Sequence, residues 1–194
     1  MSRLIRIVLI AALTLAAAAP SAAAASRSSD LATLWTTVLQ TPSAENPFGT
    51  GGQAFACIDL GNATVAPFAP GGVKSCTVAP GTSIFIAANS FECSTFVNDT
   101  NTPPGDLRTC ARENDVPTAP TVTFDGAPVT VTAVETGEMT IVLPADNVFG
   151  LPAGTGGLSY GHGWVTLVGP LASGTHTITV TIGSTVINTS INVT

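Results

Sequence analysis

The sequence predicts an all-β protein, an antiparallel β-sandwich of the immunoglobulin-like or jelly-roll kind with one short N-terminal helix. Three observations lead to this prediction: apolar residues alternate with polar ones, turn residues separate the short apolar runs, and four cysteines are present. Alternation at every second residue is typical of strands with one buried face, and frequent turns between short strands are typical of sandwiches. With 9% charged and 45% hydrophobic residues, the chain does not have the composition of a disordered protein.

Residues 1–25 are predicted to be a secretory signal peptide. Arg3 and Arg6 give a positive start, the apolar run 7–19 follows, and Ala23-Ala24-Ala25 offers a cleavage site of small residues. The apolar run is shorter than the roughly 20 residues that a membrane-spanning helix needs. We therefore expect a secreted, extracellular protein that does not insert into a membrane after cleavage.

Residues 26–194 are predicted to be one acidic, disulfide-bonded domain. The net charge of the whole chain is −6, and signal cleavage would remove two of the six basic residues and no acidic residue. Nucleic-acid binding depends on Lys and Arg side chains that neutralise phosphates. The charge balance therefore argues against nucleic acid as a partner.

One amphipathic helix is expected at the start of the domain. Its apolar residues recur with a period of about 3.6 residues, Ser29 or Asp30 can cap its first turn, and Pro42 ends it. A single short helix is not stable alone, so its apolar face must cover a sheet, with Trp35 in the core. That face comprises Leu31, Leu34, Trp35, Val38 and Leu39.

Beyond the helix, the pattern predicts a series of short strands. The stretch 89–117 is irregular, with one helical turn expected over Asp106–Arg112. From Thr175 to Val193, apolar residues alternate with Thr, Asn and Ser around Gly183-Ser184, which predicts a half-buried antiparallel hairpin. Further strands are predicted over Gln53–Ile58, Val65–Phe68, Val73–Val78, Ser83–Ala88, Thr121–Phe124, Val129–Ala133, Met139–Leu143 and Trp164–Val168.

The four cysteines suit an oxidising compartment, and no C-x-x-C spacing indicates a zinc or redox site. Three pairings are possible. The pairing Cys57–Cys76 with Cys93–Cys110 is favoured, because the residues between each pair have the pattern of a hairpin or a compact loop. Loops of this size are stabilised by about 3 kcal/mol each in the chain-entropy model.

A series of residues spread over most of the chain forms a recognisable pattern: Trp35, Asn46-Pro47, Cys57, Cys76-Thr77-Val78, Phe85, Glu92-Cys93-Ser94, Asp125-Gly126, Pro144, Gly163-Trp164 and Gly174-Thr175-His176-Thr177. In this pattern the chain resembles a group of secreted bacterial four-cysteine β-rich proteins of unknown function. The resemblance implies secretion, disulfides and a β fold, and it implies no activity. The chain departs from the group at Ala79-Pro80, whose order is reversed, and at His162-Gly163-Trp164, where the group has Asp-Gly-Tyr-Trp.

The sequence contains a match to a serine-hydrolase motif, but it lacks the other features that this motif needs. Residues 157–161 match G-x-S-x-G, but no Asp or Glu follows Ser159, and no βα alternation provides the strand–turn–helix elbow. A glycine-rich loop at one end of the sandwich, with His162 exposed in it, is the favoured interpretation. His176 is expected to be half-buried on its strand with one hydrogen-bond partner.

Carboxylates are the other candidate chemical groups. Glu92 adjoins Cys93 after a strongly apolar strand, and with Asp99 or Glu113 it could form the pair of acids that glycoside hydrolysis requires. The oxygen-rich stretch 98–101, with Asp106 nearby, could hold Ca²⁺, although it lacks EF-hand spacing. No other cofactor is expected, and the identity of any bound metal stays unknown.

The leading functional prediction is a non-catalytic extracellular module that binds a glycan, a cell-surface component or a protein. Tyr160 and Trp164 flank His162 and could form a small aromatic platform, with Glu92 as a further ligand-binding candidate. The alternative is a secreted glycan-active enzyme that uses paired carboxylates.

Overall fold

Two β-sheets and two helices make up the described part of the protein. The computed structural model describes residues 22–49, 57–68, 75–97 and 102–194. The helices in these residues are α1 (Ala22–Leu39) and α2 (Pro104–Asn114). The strands are β1 (Ile58–Gly61), β2 (Thr64–Ala66), β3 (Ser75–Val78), β4 (Ser83–Ser94), β5 (Thr121–Phe124), β6 (Ala127–Val129), β7 (Thr132–Glu135), β8 (Met139–Val142), β9 (Gly156–Val168), β10 (Gly174–Ile182) and β11 (Thr185–Val193).

Both sheets are mixed. Sheet 1 has the order β1-β2-β4-β9-β7, and β8 also pairs with β9; sheet 2 has the order β3-β11-β10-β5-β6. The pairs β2–β4 and β3–β11 are parallel. The prediction of a mostly-β fold is therefore confirmed, but the expectation of antiparallel sheets alone is wrong. Between β3 and its parallel partner β11, the chain forms the rest of sheet 1, α2 and the other strands of sheet 2.

The C-terminal hairpin has the predicted form. β10 and β11 pair without interruption from Gly174 opposite Val193 to Ile182 opposite Thr185. Their buried apolar residues share one cluster with Ile84 of β4, so side chains of both sheets meet there. The cluster members from the hairpin are Ile178, Val180, Ile191 and Val193.

Helix α1 covers the other face of sheet 1. All five predicted apolar positions are buried, and Trp35 retains only 7% exposure. The helix begins at Ala22, well before the predicted cap at Ser29 or Asp30, and so crosses the predicted cleavage position. None of the helices in the described ranges is long and apolar enough to cross a membrane.

The long strand β4 changes its facing pattern at a β-bulge. Ala87 pairs with Val165 and Asn89 with Trp164, so Ala88 is the extra residue. Before the bulge, Ile84 packs toward sheet 2 and Phe85 toward α1. After it, Cys93 packs with α2. The predicted strand ended at Ala88, whereas β4 continues to Ser94 because the bulge interrupts the alternation without ending the pairing.

The two disulfides have the favoured pairing. Cys57–Cys76 joins the residue before β1 to β3, and its Cα atoms are 5.5 Å apart. Cys93–Cys110 joins β4 to α2, with Cα atoms 6.1 Å apart. One bridge therefore connects the two sheets, and the other fixes α2 on sheet 1.

Several predicted boundaries are adjusted. The strand Thr121–Phe124 is confirmed with the same ends, and the expected helical turn is the longer helix α2. Val129–Ala133 is wrong as one strand, because β6 ends at Val129 and β7 begins at Thr132. The predicted strand Gln53–Ile58 lies almost wholly outside the described residues, as do residues 1–21.

Candidate functional site

Helix α2 packs on one face of sheet 1 and positions side chains there. Its apolar residues Leu107 and Ala111 pack on Cys93 and Tyr160, and the disulfide holds the helix there. The helix ends at Asn114, and the next residue, Asp115, has extended backbone. The end of α2 therefore delivers a carboxylate to the sheet surface beside β9.

Asp115 holds His162 in one orientation. Its Oδ2 lies 2.6 Å from His162 Nδ1, and the side chains of Asp115 and His162 are 0% and 11% exposed. Asp115 Oδ1 accepts hydrogen bonds from Val116 N, at 2.7 Å, and from the Asn89 amide. A buried carboxylate with several donors is the arrangement that orients imidazoles in metal and catalytic sites.

His162 lies in a row of three side chains across sheet 1. It is opposite Phe91 of β4 and Glu135 of β7, and residues opposite one another share a face of the sheet. We call Phe91, His162 and Glu135 the His162 row. Phe91 is 40% exposed, and Glu135 forms an ion pair with Arg112 of α2 at 2.8 Å. The row thus combines an exposed ring, an imidazole and a charged pair.

Trp164 and Tyr160 are held beside this row. Trp164 is half-buried, its Nε1 donates to Val116 O at 3.0 Å, and its ring meets His162 edge to face. Tyr160 is buried, donates its hydroxyl to Glu138 at 2.8 Å, and lies under the Arg108 guanidinium. Burial and the Glu138 carboxylate raise the pKa of Tyr160. The Tyr160 ring is therefore covered in this structure, with Arg108 above it.

The predicted glycine-rich loop is wrong. Residues 157–161 and His162 lie within strand β9, and His162 is buried instead of exposed. The glycines permit close packing: a Cβ on Gly161 would lie 3.0 Å from Trp35 Cδ1, and one on Gly163 only 2.8 Å from Ser90 Cβ. Ser159 is fully buried in the strand, which leaves the hydrolase motif without an accessible nucleophile.

Glu92 lies on the opposite, α1-facing side of sheet 1. It neighbours Cys93, which faces α2, and successive strand residues point to opposite faces. Ser159 Oγ donates to Glu92 Oε1 at 2.5 Å. Burial raises the pKa of Glu92, and contacts with Ser159 and Ser94 oppose this shift. Glu113 is exposed on α2, so these two acids lie on opposite sides of the sheet and do not form a pair.

Other polar atoms near α1 are unsatisfied. Within the described residues, Trp35 Nε1, Ser90 Oγ and Ser94 Oγ are buried without a hydrogen bond of ordinary geometry. Ser94 is nevertheless close enough to Glu92 to lower its pKa. This side of the sheet, on which α1 packs, therefore holds buried polar groups together with the Glu92 carboxylate.

His176 belongs to a separate contact near the start of β10, in sheet 2. Its Nδ1 lies 2.7 Å from Asp125 Oδ2 and its Nε2 lies 3.1 Å from Ala172 O, so it has two partners where one was expected. The ring is half-buried and stacks on Phe124. These hydrogen bonds raise the pKa of His176, with the bond to Asp125 the larger cause.

The predicted calcium site cannot be located. Residues 98–101, including Asp99, lie outside the described residues, and Asp106 is exposed in the first turn of α2. Among the described residues, no group of three His, Cys, Asp or Glu side chains could hold a metal ion. Ca²⁺ binding at that stretch stays a prediction.

The sequence analysis named His162 and Trp164 as candidate residues but did not predict their partners. Asp115 lies 47 residues from His162 in the chain, and no local spacing connects them. Phe91 and Glu135 adjoin His162 only through strand pairing. The one available signal was the position of Asp115 three residues after Arg112, where the predicted helical turn ends.

The chain was compared with family models, with curated proteins and with solved structures. No family model, curated protein or solved structure matches it. The resemblance to secreted four-cysteine proteins therefore stays a prediction.

Proposed function

We propose that this protein is a secreted, non-catalytic module that binds a neutral glycan through the His162 row. The observation that carries the proposal is the exposed ring of Phe91 beside an imidazole held in place by a buried carboxylate. Aromatic rings offer apolar faces to sugar rings, while fixed polar groups nearby give orientation and selectivity.

The surroundings of the row support this proposal. Arg112 and Glu135 form an ion pair, so neither of these two charges is free to select an ionic ligand by itself. Trp164 and Asp115 are anchored through Val116, so the row rests on a rigid strand and not on a loop. Rigid supports keep the entropic cost of binding low.

The fold and the disulfides support the wider setting. We propose that the two mixed sheets stack as a β-sandwich of the immunoglobulin-like or jelly-roll class, because Ile84 and Ile86 of sheet 1 pack in one cluster with sheet 2. Two disulfides suit an oxidising, extracellular environment. Removal of residues 1–25 as a signal peptide is part of the same proposal.

Retention of the purified, oxidised protein on insoluble polysaccharides and cell-wall preparations tests the proposal. The wild type should be retained, and Phe91→Ala should weaken retention about ten-fold or more, as expected for a central aromatic contact. Phe48→Ala is the matched control, because Phe48 is 50% exposed but stacks on Trp35 at the α1 side.

Other outcomes distinguish the remaining interpretations. Equal retention of Phe91→Ala and wild type would contradict the proposed surface. Soluble products, detected by mass spectrometry in the same tubes, would favour the glycan-active enzyme. Absence of both retention and products would favour a protein or another cell-surface component as the partner.

A further inference from the structure

We infer that His162 determines ligand specificity by offering Nε2 as a hydrogen-bond acceptor, so that the surface selects hydroxyl-bearing, neutral ligands. This inference rests on the proposed function, since it concerns the same His162 row. It goes further by naming the atom that selects and the chemistry that it selects.

The partners of Asp115 determine where His162 carries its proton. An ionised carboxylate only accepts hydrogen bonds. Asp115 accepts from Val116 N at 2.7 Å and from the Asn89 amide, and its other oxygen lies 2.6 Å from His162 Nδ1. Nδ1 must therefore be the protonated nitrogen of the neutral ring, and Nε2 keeps a free lone pair.

The same geometry leaves Nε2 available. No described residue forms a hydrogen bond with this nitrogen, although the ring is fixed through its opposite edge. The side chain retains 11% exposure and lies next to the exposed ring of Phe91. A ligand could thus place an apolar face on Phe91 while one of its hydroxyl groups donates to Nε2.

The neighbouring charges argue against other ligand classes. An anion would meet the carboxylates of Asp115 and Glu135, while the Arg112 guanidinium is already occupied by Glu135 through both Nε and Nη2. A metal ion would need further ligands, and the described residues provide no cluster of three. A neutral hydroxyl donor fits the free lone pair without either conflict.

His162→Asn is the first variant for testing this inference. The Asn amide can still donate to Asp115 in place of Nδ1, but its shorter side chain places no acceptor at the position of Nε2. Retention on the polysaccharide that binds the wild type should fall about ten-fold, as for loss of one well-placed hydrogen bond. Asp106→Asn, at an exposed carboxylate in the first turn of α2, is the control and should bind as the wild type does.

Nitrogen NMR of the imidazole gives a readout that does not depend on a ligand. In the wild type, the ¹⁵N shifts of neutral His162 should show a proton on Nδ1 and none on Nε2. Asp115→Asn should move the proton from Nδ1 to Nε2, because the Asn amide can donate to Nδ1. The resulting Nε2–H can no longer accept a hydrogen bond, so retention should weaken even though the ring remains.

The outcomes separate the two proposals. A proton on Nε2 in the neutral wild-type ring overturns the inference, whatever the binding result. Full retention by a folded His162→Asn, with Phe91→Ala weakened, overturns the inference but leaves the glycan surface intact. Failure of the wild type to bind any polysaccharide overturns both. Thermal unfolding of each variant establishes that it is folded, and His162→Asn keeps the test decisive if Asp115→Asn does not fold.

Discussion

At the scale of single residues, the ionisable side chains of this protein differ mainly in the partners that hold them. Glu92 is half-buried on the α1-facing side of sheet 1 and accepts a hydrogen bond from Ser159, whereas His176 lies between two oxygen acceptors near the surface. His162 is held by a carboxylate from a distant segment. The identity of each residue was visible in the sequence, but these environments follow from pairings between remote segments, so neither burial nor partner could be predicted.

Glu92→Gln should raise the free energy of unfolding at neutral pH. Burial raises the pKa of Glu92 above its usual 4.5, so the folded state holds this proton more tightly than the unfolded state. The stability that the folded protein gains by binding this proton is fully present below pH 4.5, and it is lost as the pH rises through the folded-state pKa of Glu92. Gln removes the buried charge and can still accept the hydrogen bond from Ser159.

Urea denaturation over a range of pH checks this prediction, with Glu113→Gln as the exposed control. The gain in stability should be largest at neutral pH and should shrink in acid. Parallel pH curves for wild type and Glu92→Gln would rule out a buried, destabilising charge at this position.

His176→Gln should reduce stability in mildly acidic solution more than in alkaline solution. Hydrogen bonds to Asp125 and Ala172 raise the pKa of His176 above 6.5, so its contribution is full below pH 6.5 and is lost as the pH rises through the raised value. His176 lowers the pKa of Asp125 below 3.8, so that contribution disappears in stronger acid. The effect should be small, since solvent screens exposed pairs.

Thermal unfolding of wild type and His176→Gln at several pH values measures this difference. The two curves should converge at alkaline pH. A constant difference across the whole range would mean that stacking on Phe124, not the charge, is what the substitution removes.

Elements show where sequence patterns are reliable and where packing overrides them. The alternation of β10 and β11 and the apolar face of α1 were predictable, because each buries one face against a single neighbour. β4 and β9 were predicted only in part, over Ser83–Ala88 and Trp164–Val168, because both of their faces pack against other elements over much of their length. The glycines of β9 suggested a loop, yet Gly161 and Gly163 are required by the close approach of α1 and of neighbouring strands.

Gly163→Ala should destabilise the protein by about 1–3 kcal/mol, as overpacking does in well-packed cores. The added Cβ would lie 2.8 Å from Ser90 Cβ and 3.1 Å from Asn89 O, and backbone and strand neighbours cannot move away easily. Gly156→Ala, in the same strand, is the matched control, since its Cβ would meet only Ile141 O at 3.8 Å. Equal stability of the two variants, measured by chemical denaturation, would contradict this account of the β9 glycines.

At the scale of the whole molecule, the disulfides and the shared cluster join elements that are far apart in the chain. The mostly-β composition and the cysteine pairing were predictable, because local spacing determines both. The mixed character of the sheets was not predictable, and neither was the way in which α1, α2 and sheet 2 cover different parts of sheet 1. Both depend on parallel pairings between distant strands.

Replacing Cys57 and Cys76 by serine should lower the free energy of unfolding by about 3 kcal/mol, from the chain entropy of the loop that the bridge closes. The bridged residues are 19 positions apart. The Cys93–Cys110 bridge spans 17 positions, so its double serine variant should lose a similar amount. Urea denaturation of both variants provides the measurement, and unchanged stability of either would show that its bridge closes no costly loop.

The parallel pairing of β3 with β11 has a consequence for the order of events during synthesis. Residues 75–78 find their partner only in residues 190–193, so β3 emerges from the ribosome long before the strand that completes its hydrogen bonds. The β3 segment would remain an unfinished edge until the C-terminal strand has been synthesised. Cys57–Cys76 closes a local loop and can form first, which would hold β3 beside the start of β1 while the rest of sheet 2 arrives. Oxidation would then precede, and not follow, completion of the fold.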